Sequence, residues 1–204
     1  MWILPSRGRP QNIARFIDAY EKTGASTPVW MRFDDDDPQQ KYDIPHNWVI
    51  ETGPRKPLSE IYNDFFLSHK NLMWYGFIAD DVVPVTANWD YGLINLAKSD
   101  GMAVPQGGDT TGGVPHFVLG GGLVRSIGWL ALPGLDRIYI DTVWGDIAKE
   151  RNVLRFAPEI ILEHRHFSNK KAIFDKTYKK YRKKEDKIVY NTWKGERNDN
   201  TPAH

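Results

Sequence analysis

The run NLMWYGFIA, residues 71–79, is apolar at nearly every position, and it stops at two adjacent aspartates, Asp80 and Asp81. A strand with one wet face alternates apolar and polar residues. An unbroken apolar run marks a strand covered on both faces, as at the centre of an α/β sheet. Two neighbouring carboxylates repel each other, so a cation is expected at this strand end. In open α/β sheets the carboxyl ends of the strands form the edge where ligands bind. Asp80 and Asp81 are therefore candidate site residues.

The flanking sequence supplies the other layers. WILP (2–5) is a short apolar run broken at SRGRP, and Pro10 suits the first position of a helix. Ile13, Phe16, Ile17 and Tyr20 then fall on one helical face, with Gly24 suited to the end. PVWMRF (28–33) reads as a second strand stopped by DDDDP, and NWVIETGP (47–54) as a third ended by Gly-Pro. Leu58, Ile61, Tyr62, Phe65 and Phe66 repeat the helical spacing ahead of the fourth strand.

Past the aspartates, a helix from Thr86 to Lys98 with a Thr or Asn cap would bury Trp89, Leu93, Ile94 and Leu96. AVPQGGDTTGGVPHFVLGGG (103–122) reads as a flexible loop around one short strand, PHFVL. A short helix near RSIGWLAL is followed by a strand end passing into a helix over 139–152. One or two strands over 153–167 end in His-x-His.

With 204 residues the chain is long enough for one substantial core. The expected organisation is one α/β domain over 1–168 followed by a basic helix and polar tail over 169–204. Lys170 to Lys187 carries nine Lys and Arg against three Asp and Glu, and Phe174, Tyr178 and Tyr181 share one helical face. Residues 191–204 are polar and expected to fray, Trp193 apart.

A formal net charge of +1 excludes a whole-protein field drawing the chain to nucleic acid or an anionic membrane. The absence of Cys excludes disulfide scaffolds, cysteine nucleophiles and thiolate zinc sites. The sequence opens on no signal-peptide pattern, and no run approaches the roughly 20 apolar residues of a membrane span. A cytoplasmic protein is expected.

LPSRGRP after the first strand, Asp at the end of the second, ADD after the fourth, GGGLVRSIGWLALPG (120–134), YIDTVWGD (139–146) and LEHRH (162–166) occur in that order. In this order they resemble the GT-A glycosyltransferases, especially the family 2-like enzymes. PSRGRPQNI with FDDDDP looks like the compact bacteriophage-type glycosyltransferases. The resemblance covers residues 1–167. It implies a GT-A-like α/β fold, with a mixed, mostly parallel sheet flanked by helices. It also implies transfer of a sugar from a nucleotide-diphosphate-sugar to a hydroxyl acceptor, with Mn2+ or Mg2+ and with inversion.

By that resemblance Asp81 binds the metal and Asp80 reaches the ribose or the metal's waters, Ala79 replacing the first Asp of a full D-x-D. Pro5, Ser6, Arg7 and Arg9 line the nucleotide pocket, the guanidiniums suiting phosphate. Asp34 or Asp35 holds the base, and the remaining aspartates of DDDD face water. Asp141 takes the acceptor's proton, with Asp146 as second choice and Ile140 in place of the Glu of the commoner Glu-Asp pair.

His164 joins the metal or the diphosphate, with His166 second, since alternate strand residues point to opposite faces. Gly121, Gly122 and Trp129 belong to the acceptor side. His46, His69 and His116 read as structural or surface residues. If the chain is phage-derived, Lys179, Lys180, Arg182, Lys183 and Lys184 would draw a DNA acceptor bearing a hydroxymethylated pyrimidine. An anionic membrane or a plain solvated helix is the alternative for this stretch. The rival functions are a sugar-phosphate nucleotidyltransferase and a non-catalytic nucleic-acid-binding or assembly protein on a decayed transferase fold.

Overall fold

A computed structural model of the chain describes residues 1–37, 44–107, 115–165, 171 and 183–199. The elements in chain order are β1 (Trp2–Ser6), α1 (Pro10–Lys22), β2 (Val29–Asp34), β3 (Val49–Gly53), α2 (Leu58–Ser68), β4 (Trp74–Phe77) and β5 (Val82–Pro84). They continue with α3 (Trp89–Ala97), β6 (Met102–Gln106), β7 (Phe117–Gly120), α4 (Gly121–Ile127), α5 (Ile140–Glu150), β8 (Leu154–His164) and α6 (Lys183–Asp199).

The strands form one sheet in the order β3-β2-β1-β4-β7-β6-β8-β5. Pairs β1·β2, β1·β4, β2·β3 and β6·β8 are parallel, whereas β7 runs against both β4 and β6, and β5 against β8. All strands except β5 and β7 therefore point the same way. This is the mixed, mostly parallel sheet expected, with β4 inside it.

Each face of the sheet carries its own core. On one, Tyr62 and Phe65 of α2 and Val143 and Trp144 of α5 cluster with Phe77 and Phe117 of the sheet. On the other, Phe16 of α1 and Trp89 and Leu93 of α3 cluster with Trp2 and Met31 of the sheet. Gly76 explains the one gap in the apolar run of β4: a Cβ there would come within 2.3 Å of the Trp2 ring. Trp2 is wedged between Trp74 and Trp89, and its Nε1 donates to Thr27 Oγ1 at 2.9 Å.

The structure departs from the sequence reading at several elements. β4 is confined to four residues. β5 and β6 occupy stretches read as turn and loop, because three residues are too few for periodicity and β6 carries an irregularity between Pro105 and Gln106. α3 begins only at Trp89, since Asn88 takes a left-handed φ of 52° without a side-chain cap. β8 is a single strand of 11 residues.

α6 runs to Asp199, through the stretch expected to fray, because Val189, Tyr190 and Trp193 pack on the core beneath α5. Phe174, Tyr178 and Tyr181 lie outside the described residues. Among the described residues no helix is long and apolar enough to cross a membrane.

Candidate functional site

Because β1, β2, β4 and β8 are co-directional, their carboxyl ends share one edge of the sheet, bringing Ser6, Asp34, Asp80, Asp81 and His164 to the same side. β7 runs the other way, so His116, just ahead of its first residue, arrives at that edge as well.

The side chains there form a buried network. Ser6 Oγ donates to Asp80 Oδ2 at 2.6 Å, and Arg9 Nη1 donates to Asp80 Oδ1 at 3.1 Å. The same Nη1 lies 3.6 Å from Asp81 Oδ2, and His164 Nε2 lies 3.2 Å from Asp81 Oδ1. The His164 and His116 rings meet edge to face at 4.9 Å. Both aspartates are 6% exposed and His116 is 2% exposed. The cation expected at this strand end is Arg9.

Burial and charged partners compete to set the charge states, and the winner differs from group to group. It raises the Asp80 carboxyl above its ordinary range against the pull of Arg9. Burial acts the same way on Asp81, but the hydrogen bond and charge of His164, with His116 and Arg9 behind, outweigh it and hold that carboxyl low. Burial pushes the His116 imidazole down to about 3, so the ring is neutral near pH 7.

The acidic run after β2 ties down the loop after β1. Arg7 Nη1 donates to Asp34 Oδ2 at 2.8 Å, and the guanidinium also grips both carboxylate oxygens of Asp36, Nη2 to Oδ2 at 2.9 Å. The Gly8 N–H, at a φ of 66°, donates to Asp37 Oδ2 at 2.8 Å. Asp35 has an exposed side chain, and its backbone N–H bonds Gly53 O. Three of the four aspartates thus hold the loop, and the run is not simply a solvated face. Pro5 lies within β1 opposite Arg32 of β2.

α5 leads through a short connection into the start of β8, so its first turn, with Asp141, lies toward the strands' carboxyl ends. Asp141 is half-buried, and Thr142 Oγ1 donates to its Oδ1 at 3.4 Å. Asp146 faces α6 and accepts from Tyr190 Oη at 2.7 Å and Lys194 Nζ at 2.9 Å.

The structure does not bring Gly121 and Gly122 to this edge. They follow the end of the reversed strand β7, and a Cβ on Gly121 would meet Leu72 O at 2.1 Å, one on Gly122 Ser99 O at 2.7 Å. Their lack of a side chain serves the close packing of α4 at the opposite end. Trp129 packs 5.4 Å from Trp144. His166, Lys179, Lys180 and Arg182 lie outside the described residues; Lys183 opens α6 and Lys184 is exposed on it.

Among the described residues no group of three or more His, Asp or Glu side chains is spaced to hold a metal ion. Asp81 and His164 still offer an oxygen and a nitrogen donor side by side. The carboxylate is a donor of the kind that holds Mg2+ or Mn2+ together with phosphate and water, and the imidazole adds a softer nitrogen donor beside it.

Sequence reading missed two features of the site. His116 stands ahead of an apolar strand, a position compatible with structural burial, and only the reversed direction of β7 sets it against His164. Arg9, which the resemblance turns toward a ligand's phosphate, pairs here with the carboxylate of Asp80, 71 residues further along the chain.

No protein-family model matches the sequence, and no curated protein matches it. Solved structures do share the fold. One is the mannosyltransferase PcManGT of Pyrobaculum calidifontis, in complex with GDP-Man and Mn2+, with a TM-score of 0.61 and 10% identity over 80% of this chain and 55% of that one. The chain thus spans little more than half the length of that protein. A second is a protein named as a glucose-1-phosphate thymidylyltransferase of Bacillus anthracis, in complex with sucrose, with a TM-score of 0.54 and 9% identity over 87% of this chain and 98% of that one. The chain shares the mixed, mostly parallel GT-A-like α/β fold of these two structures.

Proposed function

We propose that this chain is a metal-dependent, inverting glycosyltransferase that moves a sugar from a nucleotide-diphosphate-sugar to a hydroxyl acceptor. The observation that carries the reading is the buried network of Ser6, Arg9, Asp80, Asp81 and His164 at the carboxyl edge of the sheet. Asp81 and His164 would hold Mn2+ or Mg2+, which when bound supplies positive charge for the departing diphosphate.

The chain's own residues do the rest. Ser6 and Arg9 hold Asp80 in place for the ribose, and Asp34, braced by Arg7, lines the base side. Arg7 keeps part of its guanidinium toward solvent, where phosphate oxygens can engage it. Asp141 accepts the proton of the acceptor hydroxyl as that oxygen bonds to the anomeric carbon. The bond from the anomeric carbon to the diphosphate breaks with its electron pair, and the nucleoside diphosphate leaves.

The test is a calorimetric titration with a panel of nucleoside diphosphates, once with Mn2+ and once with EDTA. Metal-dependent binding of one or more of them is expected, followed by sugar transfer to hydroxyl acceptors, hydroxymethylated DNA among them. No binding to any diphosphate under either condition overturns the reading. The fold shared with a thymidylyltransferase favours one second reading, nucleotidyl transfer. Release of pyrophosphate from a nucleoside triphosphate and a sugar 1-phosphate would select it.

A further inference from the structure

We propose that α6 is a positioning strap for the first turn of α5 and that Asp186 is its anchor. The inference rests on the reading of Asp141 as the proton acceptor, and it concerns a helix beyond the residues that carry the family resemblance.

Asp186 is 1% exposed although it sits on a strongly polar helix. Its Oδ1 accepts the backbone N–H of Asp136 at 2.7 Å, and its Oδ2 accepts those of Arg137 at 3.0 Å and Ile138 at 2.7 Å. Three successive N–H groups closing on one carboxylate make an anion-binding nest, and the helix supplies the anion itself. From the other side, the Ser59 N–H of α2 donates to Asp136 O at 3.2 Å. The turn is clamped between two helices.

The next residue, Tyr139, is the N-cap of α5 and adopts a left-handed φ of 71°. A residue with a side chain holds that conformation only where its surroundings over-determine it. Here Tyr139 stacks on Tyr190 of α6, with ring centroids 4.9 Å apart and planes 9° from parallel. Its carbonyl accepts the Val143 N–H at 2.8 Å, opening the helix. Asp141 is two residues further on. The direction in which α5 starts, and with it the place of Asp141, depends on contacts supplied by α6.

An Asp186→Asn variant of the full chain tests this. The amide keeps the shape but turns one acceptor oxygen into an NH2 that faces backbone donors. Amide hydrogen exchange at 136–141 should accelerate while exchange in β1 and β4 stays unchanged. The kcat for sugar transfer should fall by about 10- to 100-fold, with the donor KM and Mn2+-dependent nucleoside diphosphate binding held within a small factor. The acidic limb of the pH–rate profile, where protonation of Asp141 removes the base, should shift.

Unchanged kcat, or kcat and nucleotide binding falling together, overturns the proposal, since both fit a merely structural helix. If Asp186→Asn does not fold, Tyr190→Ala removes the stacking partner from a half-exposed position and carries the same expectations. Should the wild type show no sugar transfer, the reading of Asp141 fails. The exchange experiment then judges the clamp alone, with unchanged rates at 136–141 overturning it.

Discussion

Arg9 Nη1 lies 3.1 Å from Asp80 Oδ1, with both side chains buried. Asp81 stands 3.6 Å from the same nitrogen, so one guanidinium offsets two adjacent carboxylates. Removing one partner of a buried ion pair costs more than the pair itself contributes, because the remaining charge is left in a poor solvent. Arg9→Met should destabilise the fold by about 3–5 kcal/mol at pH 7. The orphaned carboxylates would hold protons more tightly when folded than when unfolded, so the deficit should shrink as the pH falls toward 4. Urea unfolding at both pH values checks it; an equal deficit at both would contradict the account.

Asp81→Asn keeps the side-chain shape beside His164 while removing the charge. Mn2+-dependent nucleotide binding should weaken by at least the roughly 10- to 100-fold that loss of a supporting residue costs a metal site. Calorimetry with a circular-dichroism control reads this, and binding as tight as wild type would remove Asp81 from the site.

Tyr62 gives the pH dependence on the alkaline side. Burial pushes its hydroxyl well above the ordinary value, with Arg137 opposing and Asp141 adding to the shift. The unfolded chain releases this proton near pH 10 while the folded chain keeps it, so stability is complete below about pH 10 and falls as pH rises, by up to about 1.4 kcal/mol per pH unit. Tyr62→Phe should flatten that part of the curve. Urea midpoints at pH 9 and 11 for both proteins decide it.

Gly76→Ala places a methyl group within 2.3 Å of Trp2, which its neighbours Trp74 and Trp89 and its bond to Thr27 keep from moving. Overpacking of this kind costs about 1–3 kcal/mol or more. The melting temperature should drop by about 2–4 °C for each kcal/mol. A variant that melts with the wild type would mean that the Trp2 site can relax.

Much of the frame was legible in the chain. α1 and α2 follow from apolar residues at helical spacing, and β4 from a run with no polar face. The need for a cation beside Asp80 and Asp81 follows from the repulsion of like charges. These are local properties, written in the order of neighbouring residues. α6 was only half legible. Its basic composition was visible, but its extent is set by Tyr190, Trp193 and Asp186 meeting the body of the protein.

The sequence by itself determined which segments must be covered on both faces, where the backbone must break, and that the strand-end aspartates need a counter-charge. Only the tertiary structure decided that the counter-charge is Arg9, that the reversal of β7 delivers His116 to the site and carries Gly121 and Gly122 away from it, and that Asp186 closes the turn before Asp141. The reason is physical. Periodicity records how each residue meets its own element's two faces, but strand order and direction are settled by pairings between segments far apart in the chain. Which end of the sheet a residue occupies is therefore a property of the assembled fold.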